Sequence, residues 1–226
     1  MNRPTILASL TGFAAALFAP LASAQYGCDR LLIEADDAMV QAVEESREML
    51  SSGLESRWQL VDRLLRPYFD FAFSSRWILD TDRNEFSDEQ LQRFSDAFYR
   101  FLLYSFGHLV TEYEADTLRL VGDCRRAFRP WGYVYSQGAR LELTGKRPET
   151  IDLDIALHEV DDEFRIFDIQ HEGTSQIMYY RGQFVDRLNV EGLDALIVWL
   201  EEEAERQREL QLGQAASDAG GDSPDD

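Results

Sequence analysis

Asp168 and His171 stand three residues apart near the end of an apolar stretch, an acid and a base of the kind that proton transfer requires. Set in a cone-shaped pocket, they would serve an isomerase or a hydrolase. Two titratable residues at such a spacing are common, and a hydrogen-bonding cluster at a strand end is the plainer expectation. Other chemistry-bearing residues are sparse. His108, His158 and His171 show no zinc-protease or zinc-finger spacing, and Cys28 and Cys124 lie too far apart to add to them, so no metal site is expected. Ser175, within Glu172-Gly173-Thr174-Ser175-Gln176, lacks the glycine pattern of a nucleophile elbow, and no glycine-rich phosphate loop occurs. The residues themselves point away from an enzyme. A binding protein leads, with an isomerase or hydrolase using Asp168 and His171 and a ligand-free interaction module as the alternatives left open.

The elements that would position these residues change character midway along the 226-residue chain. Asp29 to Ser51 carries Leu32, Ala35, Met39, Val43 and Leu50 at helical spacing, and Ser56 to Leu65 continues in the same period until Pro67 stops it. Ser87-Asp88-Glu89-Gln90 has the form of an N-cap with Gln at the third helical position, opening a helix expected to reach about Tyr113. That helix is rich in aromatic residues on more than one stripe, so it must be enclosed on several sides or line a cavity. After Gly122 the period becomes two. Trp131–Ser136, Arg140–Thr144, Ile151–Val160 and Phe164–Gln170 read as strands, the first two parted by Gln137-Gly138. In the third, Ile151, Leu153, Ile155 and Leu157 share one face and Asp152, Asp154, Ala156 and His158 the other, which predicts an antiparallel sheet with one buried and one wet face. A last helix is expected from about Val190 to Leu210. Helices followed by a meander predict an α+β domain, its helices over one face of a curved sheet.

Composition narrows the function. With 42 acidic against 22 basic residues the net charge is −20, which excludes a phosphate-tracking nucleic-acid binder. Hydrophobic residues are 45% and aromatic residues 12% of the chain, enough to bury a sizeable core and something besides. Residues 1–24 read as a signal peptide: Arg3, an apolar run from Ile6 to Leu21, then Ala22-Ser23-Ala24 before Gln25, with cleavage expected after Ala24. The expected destination is an oxidising compartment, where Cys28 and Cys124 are a candidate disulfide pair. Residues 25–212 would form the domain, and 213–226 a disordered acidic tail.

Phe164-Arg165-Ile166-Phe167-Asp168-Ile169, Glu172-Gly173-Thr174-Ser175, Tyr180-Arg181-Gly182-Gln183-Phe184 and Gly192-Leu193-Asp194-Ala195-Leu196-Ile197 occur in the order and spacing of the MlaC family, which this chain resembles. These are the periplasmic phospholipid-binding, or toluene-tolerance, proteins. Upstream, Pro67-Tyr68-Phe69-Asp70-Phe71 and Glu89-Gln90 with Phe94 and Phe98 resemble two further signatures, so the likeness spans about residues 30 to 200. Phe164 stands where the family usually has Trp, and Cys28, Cys124 and the acidic tail are additions.

The resemblance implies a cone similar to nuclear transport factor 2, with acyl chains in a hydrophobic pocket between sheet and helices. It also implies a monomeric carrier without catalytic residues or cofactor, its cargo phospholipid. Such carriers shuttle lipid between an outer-membrane lipoprotein complex and an inner-membrane Mla-type ABC transporter complex, maintaining lipid asymmetry. The expected lining residues are Phe69, Phe73, Phe94, Phe98 and Leu102 from the helices, Leu153, Ile155 and Ile166 from the sheet, and Ile177 beyond it. Tyr180 and Arg181 are expected at the pocket mouth, or as a structural pair with Arg181 held by Asp168 or Glu172.

Overall fold

The computed structural model describes residues 27–45, 53–81, 85–111, 117–129, 132–143 and 149–220. The expected leader, Trp131, Tyr113 and residues 221–226 lie outside them. Helices α1 (Cys28–Glu45), α2 (Leu54–Leu65), α3 (Phe71–Leu79) and α4 (Asp88–Thr111) precede strands β1 (Thr117–Arg129), β2 (Gly132–Leu143), β3 (Glu149–Val160), β4 (Glu163–His171) and β5 (Thr174–Ser175). Helices α5 (Gln176–Glu191) and α6 (Leu193–Gly220) follow. The five strands form one antiparallel sheet in the order β1-β2-β3-β4-β5, so the fold is α+β.

Local chemistry sets the helix ends. Ser87 and Gln90 form the reciprocal box: Ser87 Oγ accepts from Gln90 N, and Gln90 Oε1 accepts from Ser87 N, both at 3.1 Å. Asp70 caps α3 by accepting from Phe73 N at 2.8 Å, and Asp80 ends that helix in the left-handed conformation, φ 54°. Ser175 caps α5 by accepting from Met178 N.

Several expectations are corrected. Gln137-Gly138 does not divide two strands: β2 runs unbroken through it. A bulge in β1 between Val121 and Arg125 faces Gln137, whose buried amide Nε2 donates to the carbonyls of Val121, Gly122 and Gly138. A side chain here satisfies backbone groups that a regular ladder would pair. Helices α3 and α5 and most of β1 were not anticipated, and α6 continues to Gly220, into the segment expected to be disordered. Nor is one face of the sheet wet throughout. In β3, Ala156 and His158 are buried on the same side as exposed Asp152, while Ile155 and Leu157 are buried on the other.

Both faces are covered because helices pack on each. On one side Ala156 and Phe167 join Phe94, Phe98, Ile177, Phe184, Leu196, Ile197 and Leu200 of α4, α5 and α6 in the main core. On the other, Ile155, Leu157, Ile166, Tyr135 and Ala139 pack with Cys28 and Leu32 of α1. A third cluster joins Trp58 and Val61 of α2 to Tyr99 and Leu103 of α4. Cys28 and Cys124 are joined by a disulfide, Cα to Cα 6.5 Å, which ties the start of α1 to the β1 bulge.

Candidate functional site

Tyr68, Phe69 and Asp70 connect α2 to α3 and also join the helical half to the sheet. Ile166 N donates to Tyr68 O and Asp70 N donates to Ile166 O, each at 2.8 Å, a parallel bridge on β4. The Asp70 carboxylate meets His158 Nε2 at 3.0 Å, and the His158 ring stacks on Phe73 at 3.8 Å between centroids with the edge of Phe167 against it. Ser74 Oγ donates to Phe167 O at 2.7 Å. Burial pushes the Asp70 carboxyl up, but the bonds from His158 and the α3 backbone outweigh it and hold it below the usual carboxylate range. The joint is therefore a hydrogen-bonded seam between two apolar clusters.

A second bulge shapes the same strand. Ala156 pairs with Asp168 and Leu157 with Ile166, leaving Phe167 as the extra residue. Asp168 is buried and spends both oxygens on α5: Oδ2 accepts from Ser175 Oγ at 2.6 Å and Oδ1 from Ile177 N at 3.1 Å. Burial raises its pKa above the ordinary value despite those bonds. His171 is exposed, and beyond the bulge three residues along a strand bring it to the opposite face from Asp168. The two are not brought together as an acid and base; Asp168 fixes the start of α5.

The expected lining residues divide between the two clusters. Phe94, Phe98, Ile177 and Tyr180 are in the main core, with Phe73 and Leu102 packed against it; Ile155 and Ile166 are in the α1-side cluster, with Phe69 and Leu153 packed against it. Tyr180 stacks with Phe184 and meets the edges of Phe98 and Phe101, and burial pushes its hydroxyl up to about 12. Arg181 pairs with Asp80, not Asp168 or Glu172, and donates to Trp77 O at 3.4 Å, tying α5 to the end of α3.

Two cavities open on this helical half. One of about 320 Å³ lies beside the Asp70 joint and is lined by Arg66, Phe69, Asp70, Phe71, Ser95, Asp96, Tyr99, Asp161, Glu163 and Arg165, among others. The other, about 610 Å³, lies between α2, α4 and α6 and is walled by Trp58, Leu103 and Tyr104 with Glu55, Asp62, Arg63 and Arg208 around them. Of the expected lining residues, Phe69 alone borders either cavity. Phe71, Ser95 and Tyr99 were missed. A signal existed in the sequence: Ser95 and Tyr99 are four apart, one helical turn, on the aromatic helix already singled out. Among the described residues no group of His, Cys, Asp or Glu is arranged to hold a metal ion, and no helix is long and apolar enough to cross a membrane.

A family model described as MlaC protein matches residues 34–202. Among solved structures, a phospholipid-binding protein from Ralstonia solanacearum, in complex with a phospholipid, shares the fold with a TM-score of 0.65 and 18% identity over 79% of this chain and 97% of its own. No curated protein sequence matches this chain.

Proposed function

Because the chain belongs to the MlaC family, we propose that it is a periplasmic phospholipid carrier. The match over residues 34–202 carries this reading, and the phospholipid held by a relative of the same fold supports it. The leader directs export and is removed after Ala24. The carrier then takes lipid as a monomer and passes it between an outer-membrane lipoprotein complex and an inner-membrane Mla-type ABC transporter complex, with no chemistry on the cargo.

Burial of acyl chains supplies the attraction, at about 0.8 kcal/mol per methylene. The cavity of about 320 Å³ beside the joint is at the lower end of the roughly 300–1,000 Å³ that drug-sized ligands occupy. The expected lining residues other than Phe69 border neither this cavity nor the one of about 610 Å³, so entry of acyl chains among them requires the helical half and the sheet to part. The line along which they part is the Tyr68–Asp70 bridge to Ile166, flanked by the expected lining residues: Phe73, Phe94, Phe98, Leu102, Ile177 and Tyr180 on one side, Phe69, Leu153, Ile155 and Ile166 on the other. The net charge of −20 keeps the body of the carrier off anionic bilayers during transit.

The test is to express the chain with its own leader, purify it from the periplasm and compare native with denaturing mass spectra. Extra mass equal to one or two phospholipids, lost on unfolding, is the expected result. A bare mass in both spectra, repeated after incubation with phospholipid vesicles, overturns the proposal.

A further inference from the structure

The cavity beside the Asp70 joint has a composition that selects by charge. Four carboxylates line it, Asp70, Asp96, Asp161 and Glu163, against two guanidiniums, Arg66 and Arg165. Both guanidiniums are already engaged. Arg66 pairs with Asp62 at 2.7 Å and lies 4.3 Å from the centre of the Tyr99 ring, and Arg165 pairs with Glu163 at 2.7 Å. Asp70 is held by His158 and Phe73 N, and Asp96 accepts a 3.2 Å bond from Gln92 and lies in the field of the Arg66 guanidinium. Asp161, at the β3–β4 turn, has no partner among the described residues. Phe69, Phe71 and Tyr99 make the apolar wall, the two phenylalanines stacked at 5.5 Å and Phe71 tilted onto Tyr99 at 4.6 Å.

Ser95 is the second, independent observation. It is 4% exposed, borders this cavity and makes no hydrogen bond with any described residue, although serines inside helices readily bond the carbonyl one turn back, as Ser74 and Ser75 do here. The Ser95 side chain is largely buried and opens only on the cavity, where a polar ligand atom can meet the hydroxyl.

We infer that this cavity receives a positively charged ammonium group, held by Asp96 and Asp161 against the aromatic wall with the Ser95 hydroxyl beside it. Aromatic faces and carboxylates attract ammonium, and an anionic group would meet uncompensated negative charge. The inference rests on the carrier reading: its natural source is the amine headgroup of a zwitterionic phospholipid, and the same chemistry in a free amine is the alternative source.

The experiment loads the full mature chain from vesicles of equal phosphatidylethanolamine and phosphatidylglycerol content and weighs the bound lipids by native mass spectrometry. In parallel, ethanolamine and choline are titrated calorimetrically. Enrichment of phosphatidylethanolamine by about fivefold, the factor a single kcal/mol gives, is expected, and it should vanish in Asp96→Asn/Asp161→Asn. Asparagine suits the left-handed backbone of Asp161, φ 52°, so the fold should survive, and unchanged urea unfolding verifies that. Ser95→Ala should lower the enrichment without loss of stability. Saturable heat from the free amines with no lipid preference assigns the same site to a small amine. Lipid bound without preference, and no heat from the amines, overturns this inference while leaving the carrier reading intact; no lipid bound at all overturns the carrier reading instead.

Discussion

Two carboxyls, the half-buried Asp70 and the buried Asp168, respond to acid in opposite directions. Asp70 is held below its ordinary range, so its contribution to stability is present above the unfolded value near 3.8 and is lost as pH falls through the lower, folded value. Asp70→Asn should cost about 1–2 kcal/mol at pH 7, and the gap from wild type should narrow near pH 3, as read by urea unfolding at both pH values. Asp168 is raised, so the native state binds its proton more tightly than the unfolded chain does, and ionising it costs stability. Its two bonds to α5 still need an acceptor. Asp168→Ala, which orphans Ile177 N, should destabilise by about 2 kcal/mol, whereas Asp168→Asn should lose well under that because an amide oxygen still accepts there. Lipid content unchanged in Asp168→Asn would agree with a structural role for this residue. These roles were half legible in the sequence: Asp168 stood out beside His171, but strand alternation sends the two to opposite faces, and its true partner is Ser175, seven residues on.

At the scale of elements, α1 is pinned by one covalent bond at its start and by Leu32 on the sheet. The bond closes a loop of 96 residues, and in the chain-entropy model that contributes about 4.7 kcal/mol. Cys28→Ser/Cys124→Ser should lower stability by about that amount, and hydrogen exchange should show α1 losing protection before α4 does. The β1 bulge sets a second prediction. A Cβ at residue 138 would sit 2.7 Å from the carbonyl oxygen of Val121, a backbone atom with little room to move, so Gly138→Ala should cost about 1–3 kcal/mol by thermal unfolding. The sequence made α4, β3 and β4 legible through the Ser87–Gln90 box and clean period-two alternation. It hid α3 because Phe69, Phe71 and Phe73 alternate like a strand and only Asp70 marks a cap. It hid β1 because Arg119, Arg125, Arg126 and Arg129, exposed on an edge strand, carry no apolar period. Gln137-Gly138 looked like a turn, and nothing short of the bulge opposite reveals the glutamine as its partner.

At the scale of the whole molecule, an excess of 20 negative charges works against the compact state. Exposed charges more than about 10 Å apart are screened at 0.1 M salt, so the melting temperature should rise between low-salt buffer and 0.15 M sodium chloride; a falling or flat profile would show that ion pairs such as Arg140–Asp152 and Arg208–Glu55 dominate instead. The order of the strands carries one more consequence. Every strand pairs with its neighbour in sequence, so the sheet can assemble hairpin by hairpin, through contacts that are short in sequence. The interior of the helical half cannot. Phe94 and Phe98 of α4 share their cluster with Ile78 and Leu79 of α3, but it closes only with Phe184, Leu196, Ile197 and Leu200, about a hundred residues later. Until the last third of the chain has been made, the aromatic stripes of α3 and α4 therefore lack those partners, and the unfinished chain exposes apolar surface prone to aggregate.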